Sequence, residues 1–266
     1  MDYSKELEFA ENLAREAGDI MRRYFRAGDI GTELKEDNTP LTIADTEINS
    51  LVIERVKERF PEHGVIGEEA SRNENAQLIW VVDPIDGTMP FSLGIPISTF
   101  SLALVDGRDG QAIIGVVYDP QLDELYSAVR GGGAFRNGNL LRTSSATELN
   151  NTYVSIIQGT VRGEKSLFRA GICSDLAQEQ GAKVFCYYSA IYAAVRVATG
   201  DLASAVFGYG APWDYAAVAL IVAEAGGVAT DINGGPRRSD KFADGFVISA
   251  NQAVHAKILE LIKMSQ

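Results

Sequence analysis

Apolar residues at Leu7, Ala10, Ala14, Ala17 and Met21 recur at steps of three and four between Lys5 and Arg26. That stripe predicts an amphipathic helix packed on a larger body. A polar, turn-rich stretch from Gly28 to Pro40 follows, and Ile43, Ile48, Leu51, Val52, Val56 and Phe60 mark a second helix that ends before Pro61. The run LIWVV (Leu78 to Val82) reads as a short buried strand stopping at Asp83-Pro84. Chemistry placed there would sit at a strand's carboxyl end. The runs Thr99 to Val105, Ala112 to Asp119 and Glu124 to Val129 are divided by turn residues, the pattern of antiparallel hairpins. The second half alternates strands at Tyr153 to Ile157, Ala182 to Cys186 and Ala203 to Phe207 with helices near Ser166 to Gln178, near Ser189 to Ala198 and from about Asp214 to Ala225. Strands at VAT and FVIS and a last helix from Gln252 to Lys263 complete it. The pattern predicts a mixed α/β chain, 1–266 as one unit, with a large antiparallel sheet in a lobe spanning 1–146 and a smaller sheet with helices in 147–266.

Composition narrows the chemistry. With 24 Lys+Arg against 36 Asp+Glu the net charge is −12, which argues against nucleic acid or anionic membranes as partners. No apolar run reaches the roughly 18 to 20 residues of a membrane span, and the polar start Met1-Asp2-Tyr3-Ser4 is unlike a secretory signal, so a cytoplasmic location is expected. Cys173 and Cys186 have no C-x-x-C setting, and His63 and His255 stand in no recognisable nucleophile system.

Three acidic clusters stand where apolar structure meets an edge: Gly67-Glu68-Glu69, Asp83-Pro84-Ile85-Asp86-Gly87-Thr88, and Trp213-Asp214. Each has a bland reading, as a solvated turn, a turn with a cap, or a helix N-cap. Together they have the donor set of a hard divalent cation, which takes carboxylate and carbonyl oxygens and leaves room for water and phosphate. In D-P-I-D the spacing lets both carboxylates face one small volume, with the Ile85 carbonyl between them. Gly87-Thr88 then turns into a predicted helix whose free N–H groups could cradle a phosphate, and Pro90 fits its first turn.

At these residues the chain resembles the inositol monophosphatase family, magnesium-dependent and lithium-sensitive phosphatases. WVVDPIDGTMPF (Trp80 to Phe91) is similar to the family's D-P-[IL]-D-G-T-x-N-F, and WDYAAVALIVAEAGG (Trp213 to Gly227) to its W-D-x-A-A…E-A-G-G. Gly67 to Glu69 and Gly115 to Phe135 also match, so the likeness runs essentially end to end. The resemblance implies a layered α-β-α-β-α sandwich of the sugar phosphatase type and a homodimer. It assigns Glu68, Asp83, the Ile85 carbonyl, Asp86 and Asp214 to two or three Mg2+ ions, with Mn2+ as a substitute and Li+ as an inhibitor. Thr88, paired with Asp45, would help activate the attacking water with Glu68 among the catalytic groups, and Gly87 and Thr88 would offer N–H groups to phosphate. Asp86, Ser189, Ala190, Phe207 and Asp214 would border the substrate, with Glu69 in the outer shell and Lys35 as the basic residue the family often has there.

The substrate side departs from the family. Phe207 stands where inositol-specific members often carry an acid, seven residues before the W-D aspartate. Val184 to Ala190 lacks the Arg and Gly of R-x-x-G-[ST]-A, and Met89-Pro90 replaces x-Asn. A pocket lined by Phe207 and Ala211 would bind ring hydroxyls weakly, so several small phosphomonoesters are expected within about a tenfold range of kcat/KM. The expected reaction is hydrolysis of inositol-1-phosphate or a related small sugar or polyol phosphate. Histidinol phosphate comes next, and fructose-1,6-bisphosphate and adenosine bisphosphate share the metal motifs. Tyr187, Tyr188 and Phe207 are the aromatic residues that could stack on a base or imidazole. A metal- or phosphate-binding regulator that kept the fold is the non-enzymatic alternative.

Overall fold

Both N-terminal stripes form helices in the computed structural model, which describes residues 2–27, 31, 33–34, 40–157, 172 and 175–265. Helix α1 (Ser4–Tyr24) buries Ala10, Leu13, Ala14, Ala17 and Met21. Helix α2 (Ile43–Arg59) buries Ile48, Val52 and Val56. Ile43, counted in the predicted stripe, is 52% exposed, because it is the first helical residue and lies beyond the packed turns. A short antiparallel pair, β1 (Glu33–Leu34) and β2 (Pro40–Leu41), precedes α2.

The first sheet has seven strands in the order β3-β4-β5-β6-β7-β8-β9. These are β3 (Gly64–Gly67), β4 (Leu78–Asp86), β5 (Thr99–Asp106), β6 (Gln111–Asp119), β7 (Glu124–Val129), β8 (Gly133–Arg136) and β9 (Asn139–Leu140). Only β3 and β4 pair in parallel; the hairpins from β5 onward are antiparallel, as the turn residues predict. Strand β4 does not stop at Asp83 as expected. It pairs with β5 again at Asp86, and the register shifts between Asp83 and Asp86, where Pro84 has no N–H to give to the ladder.

The second sheet has the order β11-β10-β12-β14-β13, from β10 (Tyr153–Ile157), β11 (Lys183–Phe185), β12 (Ser204–Phe207), β13 (Val228–Asp231) and β14 (Phe246–Ser249). Strand β10 runs parallel to both β11 and β12. The helix expected near Ser166 to Gln178 lies mostly outside the described residues, as do Lys35 and Cys173; its described end, Asp175–Glu179, is one wide helical turn.

Three helices join the earlier two and the short α3 (Thr88–Ser92): α4 (Ala190–Ala198), α5 (Pro212–Glu224) and α6 (Gln252–Ser265). Three apolar clusters show how they stack. One lies between α1, α2 and the first sheet. A second holds Val81, Ala103 and Val117 of the first sheet, Ile191 and Val195 of α4, Val218 and Ile221 of α5, and Phe207 and Ile248 of the second sheet. A third joins Val154, Val206 and Val247 to Val254, Ile258 and Ile262 of α6. The molecule is therefore a helix, sheet, helix, sheet, helix sandwich. Its central layer explains why α5 is apolar on nearly every side. At Gly115 on β6 a Cβ would stand 2.6 Å from the Ala217 carbonyl oxygen, so glycine permits the close approach of α5.

Candidate active site

The carboxylates converge because the ends of β3 and β4 and the start of α5 meet at the same place. Asp83 and Asp86 flank the irregular end of β4, and Asp214 lies in the first turn of α5. Their ligand oxygens all lie within 4.8 Å of one another. Asp83 and Asp86 are buried and Asp214 is half-buried. Pro84 and Ile85 have no paired residue on β5, and the Ile85 carbonyl accepts the Thr88 hydroxyl at 2.9 Å. Glu68 follows β3, and its N–H donates to Val82 O, one residue before Asp83.

Electrostatics single out Asp83. Burial pushes its carboxyl well above the ordinary range, and the charges of Glu68, Asp86, Asp214 and Asp45 push it the same way. Among the described residues its Oδ1, although buried, finds no hydrogen-bond partner. An unpartnered buried carboxylate oxygen beside other carboxylates is costly unless a cation accepts it, and oxygen-rich donor sets of this kind fit hard divalent ions. Asp83, Asp86 and Asp214 thus form a cluster that could hold a metal ion.

Asp86 has a second role that its motif does not announce. Its Oδ1 accepts the N–H of Ala190 at 2.9 Å, and its Oδ2 accepts those of Ile191 at 2.9 Å and Tyr192 at 3.3 Å, together with the Ser189 hydroxyl. Burial raises the Asp86 carboxyl while these hydrogen bonds oppose the shift. Asp86 therefore binds the N-terminus of α4, where Ser189 is the N-cap. Ser189 and Ala190, expected beside the substrate, reach the site through this carboxylate.

Gly87 adopts the left-handed conformation, with φ 80°, and a Cβ there would meet Ile97 O at 2.7 Å and Ser189 Cβ at 2.9 Å. Glycine is needed on both counts. Behind it, Asp45 in the first turn of α2 accepts the N–H of Thr42 at 2.8 Å and its hydroxyl at 2.5 Å through Oδ2. Its Oδ1 faces the Thr88 hydroxyl at 3.4 Å. The structure thus brings Asp45 and Thr88 together across 43 residues, as expected. Glu69 is near too, its N–H donating to Asn49 Oδ1 at 3.4 Å. Asn49 is buried one turn along α2 from Asp45, and nothing in its sequence setting marks it.

Three expectations are corrected. Phe207 does not line a pocket: its ring is 2% exposed and stacks on Phe246 with centroids 4.1 Å apart. It lies in the central apolar layer because β12 alternates its side chains between two packed faces. Ala211 is likewise buried, and its N–H donates to Asp214 Oδ2 at 2.9 Å. Asp214 does not open its helix; Pro212 does, and Asp214 ties down the preceding turn while facing the cluster. The histidines have structural partners. His63 accepts the indole N–H of Trp80 through Nδ1, and His255 lies between Ser249 and Thr230.

A sequence model of the inositol monophosphatase family matches residues 2–266. The inositol-1-monophosphatase of Mesorhizobium japonicum is 30% identical over 97% of this chain and 92% of its own length. The histidinol-phosphatase of Chlorobaculum parvum is 33% identical over 97% of this chain and 96% of its own. Among solved structures, the IMPase of Thermotoga maritima superposes with a TM-score of 0.86 at 27% identity, covering 98% of both chains. Matched from end to end, the chain belongs to the inositol monophosphatase family and is a phosphatase.

Proposed function

We propose that this chain is a magnesium-dependent phosphomonoesterase acting, as one unit over 1–266, on inositol-1-phosphate and related small phosphomonoesters. The observation that carries the reading is the buried, unpartnered Oδ1 of Asp83 amid the carboxylates of Glu68, Asp86, Asp214 and Asp45. Asp83, Asp86, Asp214, Glu68 and the Ile85 carbonyl would hold the Mg2+. When bound, Mg2+ ions neutralise the phosphoryl oxygens, acidify a water and stabilise the leaving alkoxide. In hydrolysis the water oxygen bonds to phosphorus, the ester P–O bond breaks, and the alkoxide takes a proton.

The chain's own groups orient that exchange. The Thr88 hydroxyl has one proton and two acceptors within reach, Ile85 O and Asp45 Oδ1. By giving its proton to Asp45 it can accept one from water, and the Thr42 N–H and hydroxyl hold Asp45 in place. The N–H groups of Gly87 and Thr88 would face the phosphate. Asp86, held by α4, would border the leaving group.

Inhibition by Li+, activity with Mn2+, a homodimer and a cytoplasmic location complete the proposal. The motif likeness supports the first two. Exposed Phe185 and Tyr188 beside the edge of the second sheet support an interface between copies. No described helix is long and apolar enough to cross a membrane. Histidinol phosphate is the second substrate reading, favoured by the histidinol-phosphatase relative. The test is phosphate release from a panel of monoesters. Chelation should abolish release and added Mg2+ should restore it, whereas full turnover in chelator, or none on any ester, would refute the reading.

A further inference from the structure

The three carboxylates of the cluster come from two bodies. Asp83 and Asp86 belong to β4 of the first sheet, whereas Asp214 stands in the first turn of α5. Their oxygens lie within 4.8 Å of one another only if the start of α5 is held in register with that sheet. Close packing of Ala217 on Gly115 supplies part of the hold. The turn that enters the helix has a more specific one. Ala211 is the N-cap residue, and its N–H donates to Asp214 Oδ2 at 2.9 Å, so the place of that carboxylate follows the place of Ala211. The carbonyl side of the same turn is held by Arg237, from the connection between β13 and β14.

Arg237 is buried, and its Nη2 donates to Gly210 O at 2.7 Å and to Ala211 O at 3.0 Å. Its guanidinium lies over the rings of Tyr215 and Phe246, 4.3 and 5.1 Å from their centroids. The approach is so close that a Cβ at Gly210 would collide with Arg237 Nη1. The backbone around Arg237 is tied in turn to the first sheet. Its carbonyl accepts Gln111 Nε2 of β6 at 3.3 Å, the N–H of Ser239 donates to Gly110 O at 2.7 Å, and Arg238 Nη2 donates to Gly107 O at 3.1 Å. A buried guanidinium is costly, and among the described residues Nε and Nη1 of Arg237 find no hydrogen-bond partner. An apolar residue of similar length would avoid that cost. A fixed positive charge also opposes the entry of a cation nearby, so charge alone does not explain an arginine here. What arginine supplies is a rigid planar group that reaches two successive carbonyl oxygens from a fixed base.

We infer that Arg237 is a positioning residue for Asp214: it clamps the Gly210-Ala211 turn against the first sheet and so sets where Asp214 meets Asp83 and Asp86. The inference rests on the metal-dependent reading above and deepens its account of the same site. Arg237 acts through Ala211, whose carbonyl it holds and whose N–H holds Asp214. Without the clamp all the acids remain, but Asp214 is no longer fixed beside the other two. Mg2+ binding should then weaken by about tenfold or more, the size of effect expected when a group that orients a metal ligand is removed.

The test is calorimetric titration of Mg2+ into the whole metal-free protein without substrate, run beside Mg2+-dependent phosphate release. Arg237→Met, matched in length but without donors, should raise the Mg2+ dissociation constant by about tenfold or more. Arg237→Lys keeps a cationic donor and should return the constant to within about threefold of the wild type. Gly210→Ala leaves the arginine and its charge in place but pushes the guanidinium off the turn, and should weaken Mg2+ by about threefold or more. That variant carries the test if circular dichroism shows Arg237→Met to be unfolded. Mg2+ bound more tightly by Arg237→Met would mean that the arginine acts by charge, and would overturn the inference. A folded Arg237→Met that loses thermal stability in chelator yet binds Mg2+ as the wild type does would make the residue merely structural and overturn it too, as would unchanged Mg2+ binding in Gly210→Ala. Each of these results leaves the phosphatase reading standing. A wild type that neither binds Mg2+ nor releases phosphate with it would overturn both.

Discussion

Replacing Asp214 by Asn separates two tasks held by one side chain. The amide oxygen of Asn can still accept the Ala211 N–H, now bound at 2.9 Å, so the turn entering α5 should survive. What disappears is one negative charge. At 4.8 Å, the upper limit on the separation of these ligand oxygens, and an effective dielectric of about 20, two unit charges repel by roughly 3.5 kcal/mol. Burial and its neighbours push the Asp83 carboxyl well up, so proton uptake already relieves part of that repulsion. A net gain of about 1–2 kcal/mol is expected for the metal-free protein, a Tm rise of roughly 2–8 °C for a chain of this size. With Mg2+ the order should invert. The wild type gains about 2.7 kcal/mol when Mg2+ is a hundredfold above its Kd, and the variant, short of a ligand, should gain little. Scanning calorimetry at pH 8, in chelator and in Mg2+, reads both signs, and phosphate release should fall by roughly a hundredfold or more. Should D214N match the wild type in chelator and rise equally with Mg2+, Asp214 is a structural residue only.

Other perturbations test the frame around the site. Glu224 accepts the N–H groups of Gly131 at 2.7 Å and Gly133 at 2.9 Å. Glu224→Ala should therefore cost about 1–3 kcal/mol in urea denaturation and Glu224→Gln less, and an unmoved midpoint would remove this tie between α5 and the β7–β8 turn. His255 is held below its ordinary pKa by burial. Its contribution is thus complete above the unfolded value near 6.5 and is lost as pH falls toward the folded one. The stability lead of wild type over His255→Gln should shrink between about pH 7 and pH 5; a lead that grows on acidification contradicts the assignment. Phe207→Glu, which an open pocket would tolerate, should instead destabilise by more than about 3 kcal/mol, because it places an unpaired carboxylate in the central layer. A stable variant with raised activity on inositol phosphate would restore Phe207 to the pocket.

Local regularities carried the elements and most of the acidic cluster. The three-and-four spacing from Leu7 to Met21 predicted α1, and turn residues between β5, β6 and β7 predicted the hairpins, because both patterns reflect backbone geometry over a few residues. The D-P-I-D-G-T run was readable for the same reason: a proline between two acids constrains where both can point. Asp45 and Thr88 could be paired only through the family likeness, since 43 residues separate them and nothing local links the two.

What the sequence alone determined is the inventory: which segments are helix or strand, that acids cluster at the edges of apolar runs, and that these are residues a divalent cation would take. The tertiary structure decided the assignments that depend on which faces become covered. It sent Phe207 into the layer between the sheets, left Phe242 and Tyr209 outside it, and turned Asp86 into the anchor of α4. Each of these outcomes follows from the stacking of five layers. Burial is a property of two surfaces meeting, and a residue's own neighbours in the chain specify only one of them.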